Sequence, residues 1–233
     1  MPLENITESR SSPSRRRYDD ACGTAHALDL LGERWALLVI RELMLGPKRF
    51  GDIRADLPGI SANTLTQRLE GLERAGIVIR SQLPPPASVQ VYELTEWGYQ
   101  SKPIMGALGR WATRSPGHDP SLHFSPVSLM LSFEAMGQPG LPTDIHAVIG
   151  FNLGRESYGA RIEGGAIRAE RGLPVGADLV FTGAPGAVAA AVYGGVPLAA
   201  LEAEGALRVE GDRALAERFL ALFPLPPKAA IPG

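Results

Sequence analysis

Residues 59–80 read GISANTLTQRLEGLERAGIVIR. Leu65, Leu69 and Leu72 recur at i, i+4 and i+7, one apolar stripe of a helix. Ser61 stands where an N-cap belongs and Gly76 where the helix should stop, which predicts a helix over roughly 61–75. At about 100° per residue, Asn63, Gln67 and Arg74 fall opposite the leucines, with Thr64 and Glu70 on the flanks. A strand-like run, IVIRSQL, follows directly. The stretch is therefore a helix glued down on one side, with amides and hydroxyls on the other, next to a β-segment.

The flanks extend the pattern. Upstream, DDACGTAHALDLLG reads as a helix ending at Gly32. ERWALLVIRELMLGP is apolar nearly all round, hence a buried central helix stopped by Gly46-Pro47. KRFGDIRADLPG is a short helix closed by Pro58-Gly59. Downstream, GIVIRSQL and SVQVYELT flank Pro84-Pro85-Pro86, which cannot sit inside a ladder and so mark a hairpin tip. EWGYQSKPIMGALGRWATR returns to helix.

Short helix, turn, helix with a polar outer face, then hairpin is the order of a winged helix-turn-helix. Any amphipathic surface helix has a polar outer face; the turn and the hairpin add the DNA reading. The major groove admits one helix, where Asn and Gln amides pair with adenine edges, Ser and Thr donate or accept, and Arg takes guanine. The expected base readers are Ser61, Asn63, Thr64, Gln67 and Arg68. Lys48 and Arg49, ahead of the preceding helix, and Arg80 and Ser88 in the wing are expected to meet phosphates.

At 233 residues the chain is long enough for two domains. Residues 1–114 hold 15 Lys/Arg and 13 Asp/Glu, a net of +2; residues 115–233 hold 8 and 12, a net of −4. That asymmetry suits nucleic acid in the first half and not in the second. Residues 1–17 read as a disordered Ser/Arg/Pro tail, in which Arg15, Arg16 and Arg17 are a candidate arm along DNA. A winged-helix domain at 18–114, a linker at 115–125, a second domain at 126–225 and a tail at 226–233 complete the organisation, an α+β chain overall. The second domain reads as helix, four strands with Gly-rich turns, two helices, a strand and a last amphipathic helix. The start of the chain is polar, with no signal peptide or membrane span to be read, so the expected setting is the cytoplasm without a membrane partner.

The first half resembles the HxlR-type family of bacterial winged-helix regulators. The resemblance rests on Gly32-Glu33-Arg34-Trp35, Gly46-Pro47-Lys48-Arg49-Phe50, Gly59-Ile60-Ser61, Leu65-Thr66-Gln67-Arg68-Leu69, Gly76-Ile77-Val78 and Tyr92-Glu93-Leu94-Thr95. It implies a homodimer built by the first and last helices of the domain and an inverted-repeat operator. Leu28, and the stripe of Ile104, Leu108 and Trp111, are the candidate dimer contacts. Where the family commonly has Cys-Pro, this chain has Cys22-Gly23. Cys22, the only cysteine, is a candidate redox residue: a helix N-terminus favours its thiolate, while Asp19 and Asp20 oppose it. A disulfide between subunits would need the two Cα atoms within about 7 Å.

The second half resembles the sterol-carrier-protein-like domain. The matching features are a strand ending Thr182-Gly183, a helix after Pro185, the Gly194-Gly195 break, the strand between Gly205 and Gly211, and the final helix with Leu215, Phe219 and Leu222 on one face. The resemblance implies a sheet with packed helices and an apolar tunnel for a lipid-like molecule. Met130, Phe133, Phe151, Phe181, Tyr193 and Phe219 are its candidate liners, or else simply the core.

His26, His118, His123 and His146 show no metal-ligand spacing, and no G-x-S-x-G elbow, P-loop or post-strand G-x-G-x-x-G is present. No catalytic set, metal or cofactor is expected. The reading is a dimeric DNA-binding regulator, a repressor first, whose second domain senses an apolar small molecule. The alternative is a lipid or small-molecule carrier or modifying protein whose winged helix serves protein contacts.

Overall fold

The computed structural model describes residues 18–137 and 140–230. The expected tail at 1–17, with its arginine arm, lies outside the described residues, as do 231–233.

The first domain runs α1 (Gly23–Leu31), α2 (Ala36–Leu43), α3 (Phe50–Asp56), α4 (Ala62–Arg74), β1 (Val78–Gln82), β2 (Gln90–Leu94), α5 (Glu96–Tyr99) and α6 (Lys102–Ala112). Its core is the inward stripes of α2 and α4: Val39, Ile40, Leu43, Leu65 and Leu69 are fully buried. Each such side chain contributes about 1.5–3 kcal/mol on leaving water. Strands β1 and β2 pair antiparallel, Val78 opposite Leu94 and Gln82 opposite Gln90, which is the expected wing. Lys48 adds a bridge to Tyr92 on the other side of β2.

Two helix boundaries differ from expectation. Trp35 has φ of 78°, so α2 starts at Ala36 rather than at Glu33. The helix expected from Glu96 onward is two helices, α5 and α6, parted at Gln100 and Ser101, with Pro103 in the first turn of α6. Thr95 organises this corner: its hydroxyl caps α5 at Gly98 N (3.0 Å) and donates to the Gly76 carbonyl (2.8 Å), tying wing to α4. A Cβ on Gly98 would stand 2.4 Å from the Ile77 carbonyl oxygen, so the corner closes only around glycine.

The second domain runs α7 (Pro126–Met136), β3 (Ala147–Leu153), β4 (Glu156–Glu163), β5 (Ala166–Arg171), β6 (Leu179–Gly183), α8 (Pro185–Gly194), α9 (Leu198–Ala203), β7 (Leu207–Gly211) and α10 (Arg213–Leu220). The strands form one sheet, order β5-β4-β3-β6-β7, antiparallel except for the β3–β6 pair. Helix α7 and the later helices pack on it around a core of Phe133, Phe151, Phe181, Phe219 and Phe223.

That core bears on the candidate tunnel liners. Met130, Phe133, Phe151, Phe181 and Phe219 are all fully buried, and the rings touch one another, with centroids 5.3 Å apart for Phe133–Phe219 and 5.5 Å for Phe151–Phe181. Of the two readings, tunnel liners or core, they pack as core. Tyr193, the sixth candidate, stacks on Phe124 at 6.3 Å and shares a 2.6 Å hydrogen bond with Ser132.

The linker is not a free tether. Ser125 caps α7 and is itself buried, α7 packs against both α6 and α2, and Leu45 of the first domain sits in the core of the second. Lys102 of α6 pairs with Glu134 of α7 at 2.7 Å, and Glu134 also accepts from Ala169 N of β5. Residues 226–230, expected as a tail, lie back on the first domain. Lys228 Nζ donates to the carbonyls of Thr113 (3.1 Å), Ser115 (3.0 Å) and His118 (3.2 Å), capping the end of α6.

Candidate nucleic-acid interface

Helix α4 is held in place by its leucines and its cap. Ser61 Oγ accepts from Thr64 N at 3.1 Å and shares a second hydrogen bond with Thr64 Oγ1 at 2.8 Å. Both hydroxyls are therefore engaged in starting the helix, so Ser61 serves first as its N-cap. Asn63 and Gln67 are exposed and carry no intramolecular partner among the described residues. They are the free amides of this face. Arg68 is half-buried and bound to Glu33 at 3.0 Å, which turns it toward the loop before α2.

Around this helix stand the expected phosphate contacts. Arg49 is exposed at the start of α3 and unpaired among the described residues. Arg80 on β1 is exposed, bridged to Glu73 at 2.8 Å, with its guanidinium 5.5 Å from the Tyr92 ring. The hydrogen bond that it donates to Glu73 raises its already high pKa. Ser88 sits at the wing tip with φ of 35°, its carbonyl taking the Gln82 amide.

Lys48 is the clear correction. It is 1% exposed, and its ammonium meets three carboxylates: Glu42, Asp56 and Glu156. Its ammonium is not presented at the surface. The bridge to Tyr92 draws its backbone against the wing strand, which turns the side chain inward. Burial opposes its charge, but Glu42 and then Asp56 and Glu156 outweigh burial and raise its pKa.

The surrounding network spans both domains. Glu42 is fully buried and accepts from Arg41 Nε (2.9 Å) and Ser125 Oγ (2.7 Å). Glu156, at the start of β4, accepts the Tyr158 hydroxyl (2.6 Å) and pairs with Arg171 of β5 (3.0 Å). Three carboxylates thus face Lys48, Arg41 and Arg171. Burial pushes Asp56 up; burial pushes Glu156 up too, but the Tyr158 hydroxyl, Lys48 and Arg171 outweigh it and lower its pKa. This hub joins residues far apart in sequence, and no local pattern announces it. Its one signal is Glu42, an acid that, with Arg41, interrupts a helix apolar elsewhere.

Beside the hub, a pocket of about 680 Å³ opens between the domains. It is bounded by the start of α3 and the wing on one side and by the β3–β4 turn, the end of β5 and Pro185 on the other.

The candidate dimer residues are exposed: Leu28 on α1, and Ile104 (61%), Leu108 (45%) and Trp111 (72%) along one line of α6. Cys22 is exposed immediately before α1, and the backbone N–H groups of Thr24 and then Ala25 lower its thiol pKa. No helix among the described residues is long and apolar enough to cross a membrane.

Residues 30–119 match the HxlR-like helix-turn-helix family. The HTH-type transcriptional regulator YvaP of Bacillus subtilis is 39% identical over 87 residues, 37% of this chain and 81% of YvaP. This chain belongs to the HxlR family. A second relative, the HTH-type transcriptional regulator YodB of B. subtilis, is 42% identical over 86 residues, 37% of this chain and 77% of YodB. The crystal structure of quinone-bound YodB is similar at 38% identity, with a TM-score of 0.34, covering 38% of this chain and 93% of that one. The HxlR relatives are transcriptional regulators and not enzymes, so this HxlR chain is a DNA-binding regulator.

Proposed function

We propose that the protein is a dimeric repressor that reads an inverted repeat through α4 and responds to a small molecule through its second domain. One observation carries the DNA reading: Asn63 and Gln67 stand exposed, and unpaired among the described residues, on the helix whose leucines anchor it, beside the wing. Their amides suit adenine edges in the major groove. The exposed stripe on α6 supports self-association, because a face of Ile104, Leu108 and Trp111 in water is unfavourable by several kcal/mol at roughly 25 cal/mol per Å². Such a regulator works in the cytoplasm. A sheet with helices packed on it agrees in layout with a sterol-carrier-like second domain, while the ring-to-ring packing of its phenylalanines argues against an internal lipid tunnel. The same packing disfavours the lipid-carrier alternative.

The test is binding of the full chain to its own promoter DNA against scrambled DNA, over a salt series. A specific complex whose affinity falls with salt supports the reading; equal affinity for both DNAs rejects it.

A redox response is a second reading, favoured by the exposure and lowered pKa of Cys22.

A further inference from the structure

The pocket between the domains has the size of a small-molecule site, within the range of about 300–1,000 Å³. Its walls are mostly apolar: Leu83 and Val91 from the wing, Phe124 and Pro126 from the entry to α7, and Leu153 and Pro185 from the sheet side. Most of its charges are already matched. Lys48, Asp56, Glu156 and Arg171 belong to the hub and neutralise one another. What remains unmatched among the described lining residues is Arg49, Arg155 and Asp52, together with His123. The free charge is therefore cationic by one, set in an apolar cleft. Arg155 lies in the two-residue turn between β3 and β4, beside Leu153 and Glu156.

We propose that this pocket binds an apolar organic monocarboxylate, held by Arg155 and Arg49 at its charged end and by the wing and Phe124 along its apolar body. The inference rests on the regulator reading and supplies its effector site, at the domain junction rather than inside the second domain. Guanidinium–carboxylate pairing is strong and geometrically selective, and a neutral analogue of equal length lacks it. The site also explains how occupancy reaches DNA. Arg49 opens α3, is unpaired among the described residues and is expected at phosphate, while Leu83 and Val91 belong to the wing. A carboxylate that engages Arg49 competes with phosphate for it and fastens the wing to the sheet. Ligand and operator then favour different arrangements, which is the condition for coupling. Occupancy lowers operator affinity.

The experiment uses the full chain with octanoate and 1-naphthoate as probes, and 1-octanol and 1-naphthalenemethanol as neutral controls. Melting temperature and calorimetric binding are read for wild type, Arg155→Ala and Arg155→Lys. The carboxylates raise the melting temperature with concentration and the alcohols do not. Arg155→Ala weakens carboxylate binding about ten-fold or more, Arg155→Lys restores part of it, and both variants bind operator normally without probe. Saturating carboxylate lowers wild-type operator affinity about 5–150-fold. If neither carboxylate shifts the melting temperature, or if Arg155→Ala binds them like wild type, the site assignment is wrong. Operator binding without probe separates the two claims. If it is present while the probes fail, only the pocket is overturned; if it is absent, the regulator reading falls, and the pocket stands or falls on the melting data alone.

Discussion

The Ser125 hydroxyl donates to a carboxylate oxygen of Glu42 at 2.7 Å, across 83 positions of sequence. Ser125 is also the cap of α7, accepting from Ser128 N at 3.0 Å. One hydroxyl thus starts the first helix of the second domain and satisfies a buried acid of the first. The two domains share an interior at this point, with Lys48 as its central cation.

Lys48→Met should therefore act on stability and not on DNA contact. Removing one partner from a buried ionic group costs about 3–5 kcal/mol, here because three carboxylates lose their common cation. Urea unfolding should show that loss. The slope of operator affinity against salt should stay as in wild type. A slope reduced by about one would instead mark Lys48 as a phosphate contact.

Gln67→Ala should cost about 1–3 kcal/mol on operator DNA and little on random DNA, measured by fluorescence anisotropy. Arg49→Ala should weaken both and flatten the salt slope by about one. Wild-type operator binding by Gln67→Ala would show that the recognition face lies elsewhere.

Trp111→Glu, at 72% exposure, should leave the fold intact and shift sedimentation at micromolar concentration from dimer to monomer. If the wild-type chain already sediments as a monomer, on and off DNA, the α6 stripe has some other partner.

Cys22 should alkylate with iodoacetamide at a pH midpoint below the ordinary thiol range of about 8.5, since its lowered pKa populates the thiolate earlier as pH rises. A midpoint at or above that range would remove the basis for a redox role.

Phe133→Ala should cost about 3–5 kcal/mol, because Phe133 touches Phe151, Phe219 and Phe223 at centroid distances of 5.6, 5.3 and 5.0 Å. Were these rings the wall of an open tunnel, the loss in a thermal or urea melt would be much smaller.

The first domain was legible because its signals are local. The i, i+4, i+7 leucines of α4, its Ser61 cap and the proline-tipped hairpin each act within a few residues. The stripe of Ile104, Leu108 and Trp111 was readable for the same reason. What could not be read are relations between distant segments. Lys48 looked like a surface cation because nothing in its neighbourhood announces Glu156, which arrives from β4. The phenylalanines of the second domain carry no mark that separates a wall from a filling; only their mutual distances do. Glu42 was the one readable hint, since a carboxylate on the inner face of α2 requires a partner from elsewhere.

Lys228 reaches the carbonyl of Thr113 across 115 positions. On the ribosome, the first domain emerges with the last turn of α6 still open to water, and that turn is closed only after residue 228 has left the exit tunnel. The order of synthesis and the order of closure run in opposite directions: the helix that bears Ile104, Leu108 and Trp111 is made early and completed late.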